Sequence, residues 1–316
     1  MLSLVQSHVR QNVKTLRSEF ASAEPFRHVL IDGFLDPPFC AALIAAFPAF
    51  DPRQARNELG ETGRKAVVPD LAGLGPDFAR FDRLLRDAAF LDLIGQITGI
   101  PRLLYDPRYI GGGTHENLDG QELDPHVDFN YQPGTRLHRR LNLILYLNPE
   151  WDESWGGSLE LHRNPWLEPD QDFVRIIPPV ANRCVLFETT ERSWHGFRRI
   201  ALPPGKQHLS RRSVAVYYYT RERPPAETAP SHGTVYVPRP LPPHLRAGHT
   251  LSEADLYALQ LLLARRDHQI QFLYEREKEY SSVLEGILRS PAFRLGRFLS
   301  WPLRRLRRLI ASKPAG

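Results

Sequence analysis

The chain has 316 residues, a formal net charge of +5 and only two cysteines, Cys40 and Cys184. A chain of this length buries a substantial core, and so few cysteines exclude a disulfide framework and indicate a reducing compartment. The positive charge is local, because seven Arg, one Lys and no acid follow residue 285, and the preceding residues carry a net charge of −3. That distribution argues against a nucleic-acid partner.

The N-terminus predicts neither export nor membrane insertion. The first twenty residues, MLSLVQSHVRQNVKTLRSEF, lack the apolar region of a signal peptide. No segment approaches the run of about eighteen uncharged apolar residues that is typical of a membrane-spanning helix. We therefore expect a cytoplasmic protein.

Helices dominate the prediction for residues 1–102. Residues 1–24 are predicted to be a polar helical segment, residues 26–35 (FRHVLIDGFL) a short strand, and Pro37 the first residue of a helix. Apolar residues at three- and four-residue spacing predict one amphipathic helix over residues 77–97. This part of the chain is expected to support the domain that follows it.

A β-domain is predicted for residues 103–220. Short runs rich in β-branched and aromatic residues follow one another, separated by Gly, Pro, Asn or Asp: RLLYDPRYIGGG, HRRLNLILYLN, GSLELH, DFVRIIPP, NRCVLFE and RRSVAVYYYT. Such a series is typical of a sandwich or barrel and not of a parallel α/β sheet. The fold class is therefore mainly β with flanking helices.

The C-terminal third of the chain is predicted to lie outside that domain. Residues 221–250 contain seven prolines and are expected to form an extended linker. Residues 251–287 are expected to form a helix with a coiled-coil seam, interrupted by Arg266 and Glu277. That helix predicts a homodimer or, alternatively, a helix packed on the parent domain.

Residues 288–316 combine Arg with Leu, Phe and Trp. This composition predicts a basic amphipathic tail that binds an anionic membrane surface, which would place the protein peripherally on the inner face of the membrane. A solvated tail or a nucleic-acid contact is the alternative.

One triplet has the pattern of metal ligands. His126 and Asp128 are two residues apart, so both side chains lie on the same side of an extended segment. His195, on a later predicted strand, completes two imidazoles and one carboxylate, the set that holds iron(II) in non-haem oxygenases. The alternative, that these are ordinary histidines, stays open on spacing alone.

The flanking sequence carries a family resemblance. PHVDFN, RRLNLILYLNPEWDESWGGSLELH, NRCVLFETTERSWHGF and SRRSVAVYYYT occur in this order. They resemble the 2-oxoglutarate/Fe(II)-dependent oxygenase superfamily, in particular its prolyl-4-hydroxylase-like branch, which includes bacterial members. The resemblance runs from about residue 26 to residue 220. It implies a double-stranded β-helix, or jelly roll, with helices packed on one side.

The resemblance also implies roles for individual residues. His126, Asp128 and His195 would be the iron ligands. Arg211 and Ser213 match an Arg-x-Ser pattern that holds the distal carboxylate of 2-oxoglutarate. The interval from His195 to Arg211 is longer than usual in the family, and the loop LPPGKQ accounts for the difference.

Two tyrosines are further candidates for the cosubstrate pocket. Tyr146, in LYLN, matches a family tyrosine that hydrogen-bonds the same carboxylate. Tyr109 precedes the first ligand by a family-like distance and is assigned to the same pocket, or alternatively to the core with its hydroxyl satisfied there.

The activity implied by the resemblance is hydroxylation of an unactivated C–H bond. It would use Fe(II), 2-oxoglutarate and O2, with ascorbate as a stimulant. The loop DFNYQPGTRLH, with Asn130, Tyr131 and Arg136, is predicted to shape the substrate entrance.

The substrate stays open between two classes. One is a small molecule or a glycan- or glycolipid-related compound, which the tail favours because it resembles tails of bacterial enzymes of surface-polysaccharide assembly. The other is proline, peptidyl or free. A non-enzymatic jelly-roll binding module is the third alternative, and the Arg211–Ser213 dicarboxylate anchor argues against it.

Overall fold

The structure is a computed structural model that describes residues 1–55, 63, 65–242, 244–293 and 295. The chain divides into two compact units, Met1–Pro242 and Pro243–Gly316. The predicted basic tail, residues 288–316, lies mostly outside the described residues.

Five helices precede most of the strands of the first unit. They are α1 (Ser7–Gln11), α2 (Val13–Ser22), α3 (Pro37–Ala45), α4 (Pro76–Leu85) and α5 (Ala88–Thr98). Short 3-10 turns occur at Leu2–Leu4, Pro52–Gln54, Ala72–Leu74, Glu153–Trp155 and Pro225–Glu227. Pro37 and Pro76 each stand at a helix start, where a missing N–H costs no hydrogen bond.

The single helix predicted for residues 77–97 is two helices in the structure. The carboxylate of Asp87 accepts hydrogen bonds from the backbone N–H groups of Ala89 and Phe90, and so caps α5. The apolar spacing continues across the break because both helices bury one face against the same core. Periodicity alone therefore missed the boundary.

Twelve strands are described, in two antiparallel sheets. The strands are β1 (His28–Ile31), β2 (Lys65–Val68), β3 (Leu104–Tyr105), β4 (Gly113–Asn117), β5 (Leu123–Val127), β6 (His138–Tyr146), β7 (Leu159–His162), β8 (Val174–Ile177), β9 (Cys184–Glu188), β10 (Trp194–Phe197), β11 (Arg211–Thr220) and β12 (Val235–Tyr236). The larger sheet has the order β1-β9-β6-β11-β4-β2, with β3 also paired to β11, and the smaller has the order β12-β5-β10-β7-β8.

The two faces of the larger sheet bury different sets of residues. Leu143 of β6 and Val216 of β11 pack with helix residues such as Phe78 in one cluster. Side chains from the opposite face, such as Tyr146, pack with Leu161 of the smaller sheet. This arrangement, two facing antiparallel sheets with helices on one outer side, is a double-stranded β-helix, and it confirms the predicted fold class.

The predicted linker over residues 221–250 differs from the structure in its first half. Residues 224–239, here called the strap, lie against the β-domain. Glu227 forms an ion pair with Arg140 at 3.3 Å, and Arg239 forms one with Glu160 at 2.6 Å. β12 adds a strand to the edge of β5. The prolines correctly predicted an extended backbone. An extended backbone can form an edge strand as well as a linker, and here part of it pairs with β5.

The second unit contains α6 (Glu253–Arg289). Ser252 and Asp255 form the reciprocal hydrogen bonds of a capping box at its start. No helix among the described residues is long and apolar enough to cross a membrane.

Candidate active site

The structure brings together the three side chains predicted to bind metal. His126 on β5 and His195 on β10 are paired in register, and Asp128 follows the end of β5. Nε2 of His126 lies 3.7 Å from Oδ1 of Asp128, and Nε2 of His195 lies 3.5 Å from Oδ2. The three ligand atoms all lie within 4.8 Å of one another. A single ion can therefore contact all three.

Both histidines present the ring nitrogen that a metal needs. Nδ1 of His126 lies 3.0 Å from the carbonyl oxygen of Asp124, and Nδ1 of His195 lies 2.9 Å from that of Ser193. A carbonyl only accepts, so each Nδ1 carries the proton and each Nε2 keeps its lone pair. Burial lowers the pKa of His126 to about 3 and also lowers the pKa of His195. Both rings are neutral near pH 7, as ligands must be.

Asp128 is held as an anion by a buried arginine. Nη2 of Arg139 lies 2.9 Å from Oδ2 of Asp128, and Nδ2 of Asn142 donates to the same oxygen at 3.0 Å. Arg139 also donates to Oδ1 of Asn142, and its guanidinium stacks on the ring of Tyr217. Burial raises the pKa of Asp128, but Arg139 and the two histidines lower it by more than burial raises it. The pKa of Asp128 therefore lies below its ordinary value.

Arg211 lies in a pocket suited to an anion. Its side chain is 5% exposed, donates from Nε to the carbonyl of Gly157 at 2.6 Å and from Nη2 to the hydroxyl of Tyr146 at 3.1 Å, and stacks on Phe197. Among the described residues no carboxylate lies within ion-pair distance of it. Because a buried unpaired charge is costly, the pocket fits a ligand with a carboxylate.

Glycine at residue 157 leaves the space that Arg211 occupies. Its φ is +70°, and a Cβ there would lie 3.2 Å from Cδ of Arg211 and 3.0 Å from the ring of Trp151. Gly157 therefore makes room for the arginine.

Tyr146, Ser213 and His115 form a row across three neighbouring strands. Ser213 on β11 is paired with Tyr146 on β6 and with His115 on β4, so the three side chains share the inner face of the larger sheet. Nε2 of His115 is buried without a hydrogen-bond partner among the described residues. Burial, together with the positive charges of Lys65 and Arg211, lowers the pKa of His115 to about 3. The structure thus places His115 beside Ser213 of the predicted anchor.

Arg212 points to the opposite face, as strand alternation predicts. Its Nε lies 3.2 Å from Oε1 of Glu116, and its guanidinium lies over the ring of Phe47. Arg212 therefore has a carboxylate partner, whereas the described residues offer none to Arg211.

Comparison with known proteins agrees with this geometry. Residues 112–219 match the family model described as the 2OG-Fe(II) oxygenase superfamily. This part of the chain is a 2OG-Fe(II) oxygenase domain. The match contains the predicted ligands and the predicted anchor, and the donor set of two neutral imidazoles and one carboxylate fits the iron that this superfamily uses.

Two curated relatives share sequence with part of this chain. The prolyl 3-hydroxylase OGFOD1 of Mus musculus is 27% identical over 190 residues, which are 56% of this chain and 32% of that protein. The OGFOD1 protein of Xenopus laevis is 33% identical over 122 residues, which are 34% of this chain and 23% of that protein. The chain thus spans less than a third of the length of the curated relatives it matches.

Solved structures of oxygenases also resemble the chain. A prolyl 4-hydroxylase of Phytophthora capsici is 17% identical with a TM-score of 0.45, over 96% of this chain and 95% of that one. The prolyl-4-hydroxylase of Pseudomonas putida is 18% identical with a TM-score of 0.42, over 67% of this chain and 100% of that one. HygX of Streptomyces hygroscopicus, solved with nickel and 2-oxoglutarate, is 16% identical with a TM-score of 0.41, over 61% and 82%.

Tyr109 is placed apart from the other predicted cosubstrate residues. Its hydroxyl donates to Oδ1 of Asp82 on α4 at 3.0 Å, and Tyr105 donates to the same oxygen. Asp82 also forms an ion pair with Arg86. This arrangement supports the alternative of a core tyrosine with a satisfied hydroxyl.

The strap borders the oxygenase site, which sequence reasoning missed. Tyr236 on β12 is paired with His126, and the two ring centroids lie 5.1 Å apart. Asn130 holds the strap at two points, donating to the carbonyl of Pro230 at 2.8 Å and accepting from the N–H of His232 at 3.0 Å. The predicted entrance residue Asn130 thus binds this chain's own backbone.

A second His/Asp group lies in the other unit. Nε2 of His244 and Nε2 of His249 lie 2.8 and 3.0 Å from the carboxylate of Asp255, which also accepts from the backbone N–H and the hydroxyl of Ser252. The carboxylate stands at the N-terminus of α6, where the helix dipole favours an anion and disfavours a cation. We interpret this group as a helix cap.

Proposed function

We propose that the chain is an Fe(II)- and 2-oxoglutarate-dependent dioxygenase that hydroxylates an unactivated C–H bond. The observation that carries the proposal is a cluster of two histidines and one carboxylate together with a buried Arg211 that has no carboxylate partner among the described residues. The guanidinium of Arg211 lies 4.4 Å from the ring of Phe197, which is two residues from His195 on β10, so the cluster and the arginine border one space between the two sheets.

In this proposal the residues divide into metal ligands and cosubstrate contacts. His126, Asp128 and His195 hold the iron, with Arg139 and Asn142 fixing the orientation of the carboxylate. Arg211 and Tyr146 bind the distal carboxylate of 2-oxoglutarate. Arg suits this task because its fork donates two parallel hydrogen bonds.

Two further residues of the pocket, Ser213 and His115, contact the cosubstrate in this proposal. Ser213 borders the same carboxylate, and the unpaired Nε2 of His115 supplies a further polar contact to the cosubstrate. Iron with 2-oxoglutarate and O2 supplies the chemistry, which yields succinate, carbon dioxide and a hydroxylated substrate.

The substrate class that we propose is a prolyl residue in a peptide or protein. Two curated relatives named prolyl 3-hydroxylases support it, one of them 27% identical to this chain over 190 residues. The glycan-related alternative rests on residues 288–316, most of which lie outside the described part of the chain. A non-enzymatic binding module would leave Arg211 buried without an anion, which argues against that alternative.

The test is oxygen incorporation from isotopically labelled O2. The full chain is incubated with Fe(II), 2-oxoglutarate and ascorbate against proline-containing peptides, free amino acids and nucleotide sugars. We expect a peptide to gain one labelled oxygen at proline, with one succinate formed per hydroxylation. Label entering a sugar, and no peptide, would support the glycan alternative and contradict the prolyl proposal.

A further inference from the structure

Helix α6 exposes a long apolar surface. It contains 37 residues, spans about 55 Å at 1.5 Å per residue, and buries none of its side chains. Leu263, Leu273 and Leu284 are 57%, 57% and 56% exposed. Leucines on one side of a helix this long are costly to leave in water, so the surface requires a partner.

The seam of α6 contains ten positions at heptad spacing. Eight of them are apolar and two carry opposite charges; in order they are Leu256, Leu259, Leu263, Arg266, Ile270, Leu273, Glu277, Tyr280, Leu284 and Ile287. A charged residue in such a seam is costly unless an opposite charge faces it, so it selects the register and direction of pairing.

When two copies of α6 pair antiparallel over their full length, every seam position faces a residue of matching character. Each apolar residue then faces an apolar residue of the second copy: Leu256 faces Ile287, Leu259 faces Leu284, Leu263 faces Tyr280, and Ile270 faces Leu273. In the same register Arg266 faces Glu277 of the second copy, and this pair occurs twice by symmetry. Leu262 and Val283, which flank the seam at equivalent heptad positions, also meet across it.

Other arrangements leave the charges unsatisfied. In a parallel pair in register, Arg266 faces Arg266 and Glu277 faces Glu277, so both contacts are repulsive. An antiparallel pair shifted by one heptad places Arg266 against Ile270 or Leu284, and Glu277 against Leu259 or Leu273. In the shifted register Arg266 and Glu277 are buried against apolar residues, and both Arg266–Glu277 ion pairs are lost.

We propose that α6 binds α6 of a second copy of this chain as an antiparallel coiled coil, with two Arg266–Glu277 pairs fixing direction and register. The partner is a second copy because the complementarity lies within one sequence. The interface is isologous, and it closes at a dimer.

Charge reversal in the full chain tests the register. Arg266→Glu or Glu277→Arg alone places like charges face to face, and we expect the dissociation constant to rise at least about tenfold. The combined variant restores opposite charges, so its dissociation constant returns to within about threefold of wild type. Lys278→Glu reverses a neighbouring charge outside the seam and serves as the matched control. Mass from light scattering over a dilution series gives the constants, and circular dichroism confirms the helix.

Cysteine cross-linking tests the direction. We expect Leu256→Cys and Ile287→Cys variants to form a disulfide only when the two are mixed, since residue 256 faces residue 287. The native cysteines Cys40 and Cys184 are buried and give no background. A monomeric full chain at micromolar concentration, Leu256→Cys cross-linking to itself, or single reversals without effect would each overturn the proposal.

Discussion

Arg211 and Arg212 are adjacent in sequence but have opposite environments. Arg211 faces the inner pocket without a carboxylate partner among the described residues, whereas Arg212 is paired with Glu116. We predict that Arg211→Ala weakens 2-oxoglutarate binding by about 3 kcal/mol, roughly a hundredfold, because a buried carboxylate loses charged hydrogen bonds.

The KM for 2-oxoglutarate in succinate formation measures this effect, and Arg212→Ala is the matched control. A larger rise in KM for Arg212→Ala than for Arg211→Ala would show that the proposed anchor is the wrong arginine.

Arg139 neutralises Asp128 before any metal binds. Removing it leaves a buried carboxylate without its cation, and we predict that Arg139→Met destabilises the metal-free protein by about 3 kcal/mol. A divalent ion replaces the missing charge, so Mn2+ should raise the Tm of Arg139→Met more than that of wild type.

Arg140→Met is the control for that measurement. Arg140 pairs with buried Glu188 at 3.0 Å instead of Asp128, so its loss should lower the Tm equally with and without Mn2+. An equal metal-induced rise in Tm for wild type and Arg139→Met would contradict the role of Arg139.

The predicted and the missed site residues differ in how visible they are in the sequence. His126, Asp128 and His195 were predicted from a His-x-Asp triplet with its flanks. Asn142 was not predicted, although the sequence contains a signal for it. It is a polar residue in the apolar run LNLILYL and lies on the same strand face as Tyr146.

Arg139 was not visible in the same way. Strand alternation groups Asn142 with Arg140, but β6 and β11 change register between Tyr218 and Tyr219, and this irregularity turns Arg139 toward the site instead. Nor does any sequence pattern reveal that Nε2 of His115 is buried without a partner.

At the level of elements, the strap is the part that the sequence predicted least well. Seven prolines in residues 221–250 indicated an extended backbone. The strap is held in place by contacts between residues about a hundred positions apart in the sequence, such as the hydrogen bond between Asn130 and His232. Local patterns contain no information on such contacts, whereas strands of the β-domain, each with its own alternation, were predicted.

The attachment of the strap can be measured. Asn130→Ala removes two hydrogen bonds to it, and we predict that the amide of His232 exchanges with solvent roughly thirtyfold faster, because each of the two bonds contributes about 1 kcal/mol to local closure. Asn164→Ala, which removes a side-chain cap in another loop, is the control. Unchanged exchange at His232 would show that Asn130 does not hold the strap.

At the scale of the whole molecule, the oxygenase domain occupies only part of the chain. The family match covers residues 112–219, strands outside that range (β1, β2, β3 and β12) complete the two sheets, and α6 belongs to a separate unit. Membrane binding by residues 288–316 stays a prediction, because most of that segment lies outside the described residues.

Succinate formation from 2-oxoglutarate, measured in the full chain after iron has been removed with EDTA, tests the metal centre most directly. We predict that succinate appears only when Fe(II) is restored, and that His195→Ala lowers the rate by more than about a hundredfold. His208→Ala, which changes an exposed histidine, should keep the wild-type rate. Iron-dependent succinate formation at the wild-type rate in His195→Ala would contradict the assignment of His126, Asp128 and His195 as the metal centre.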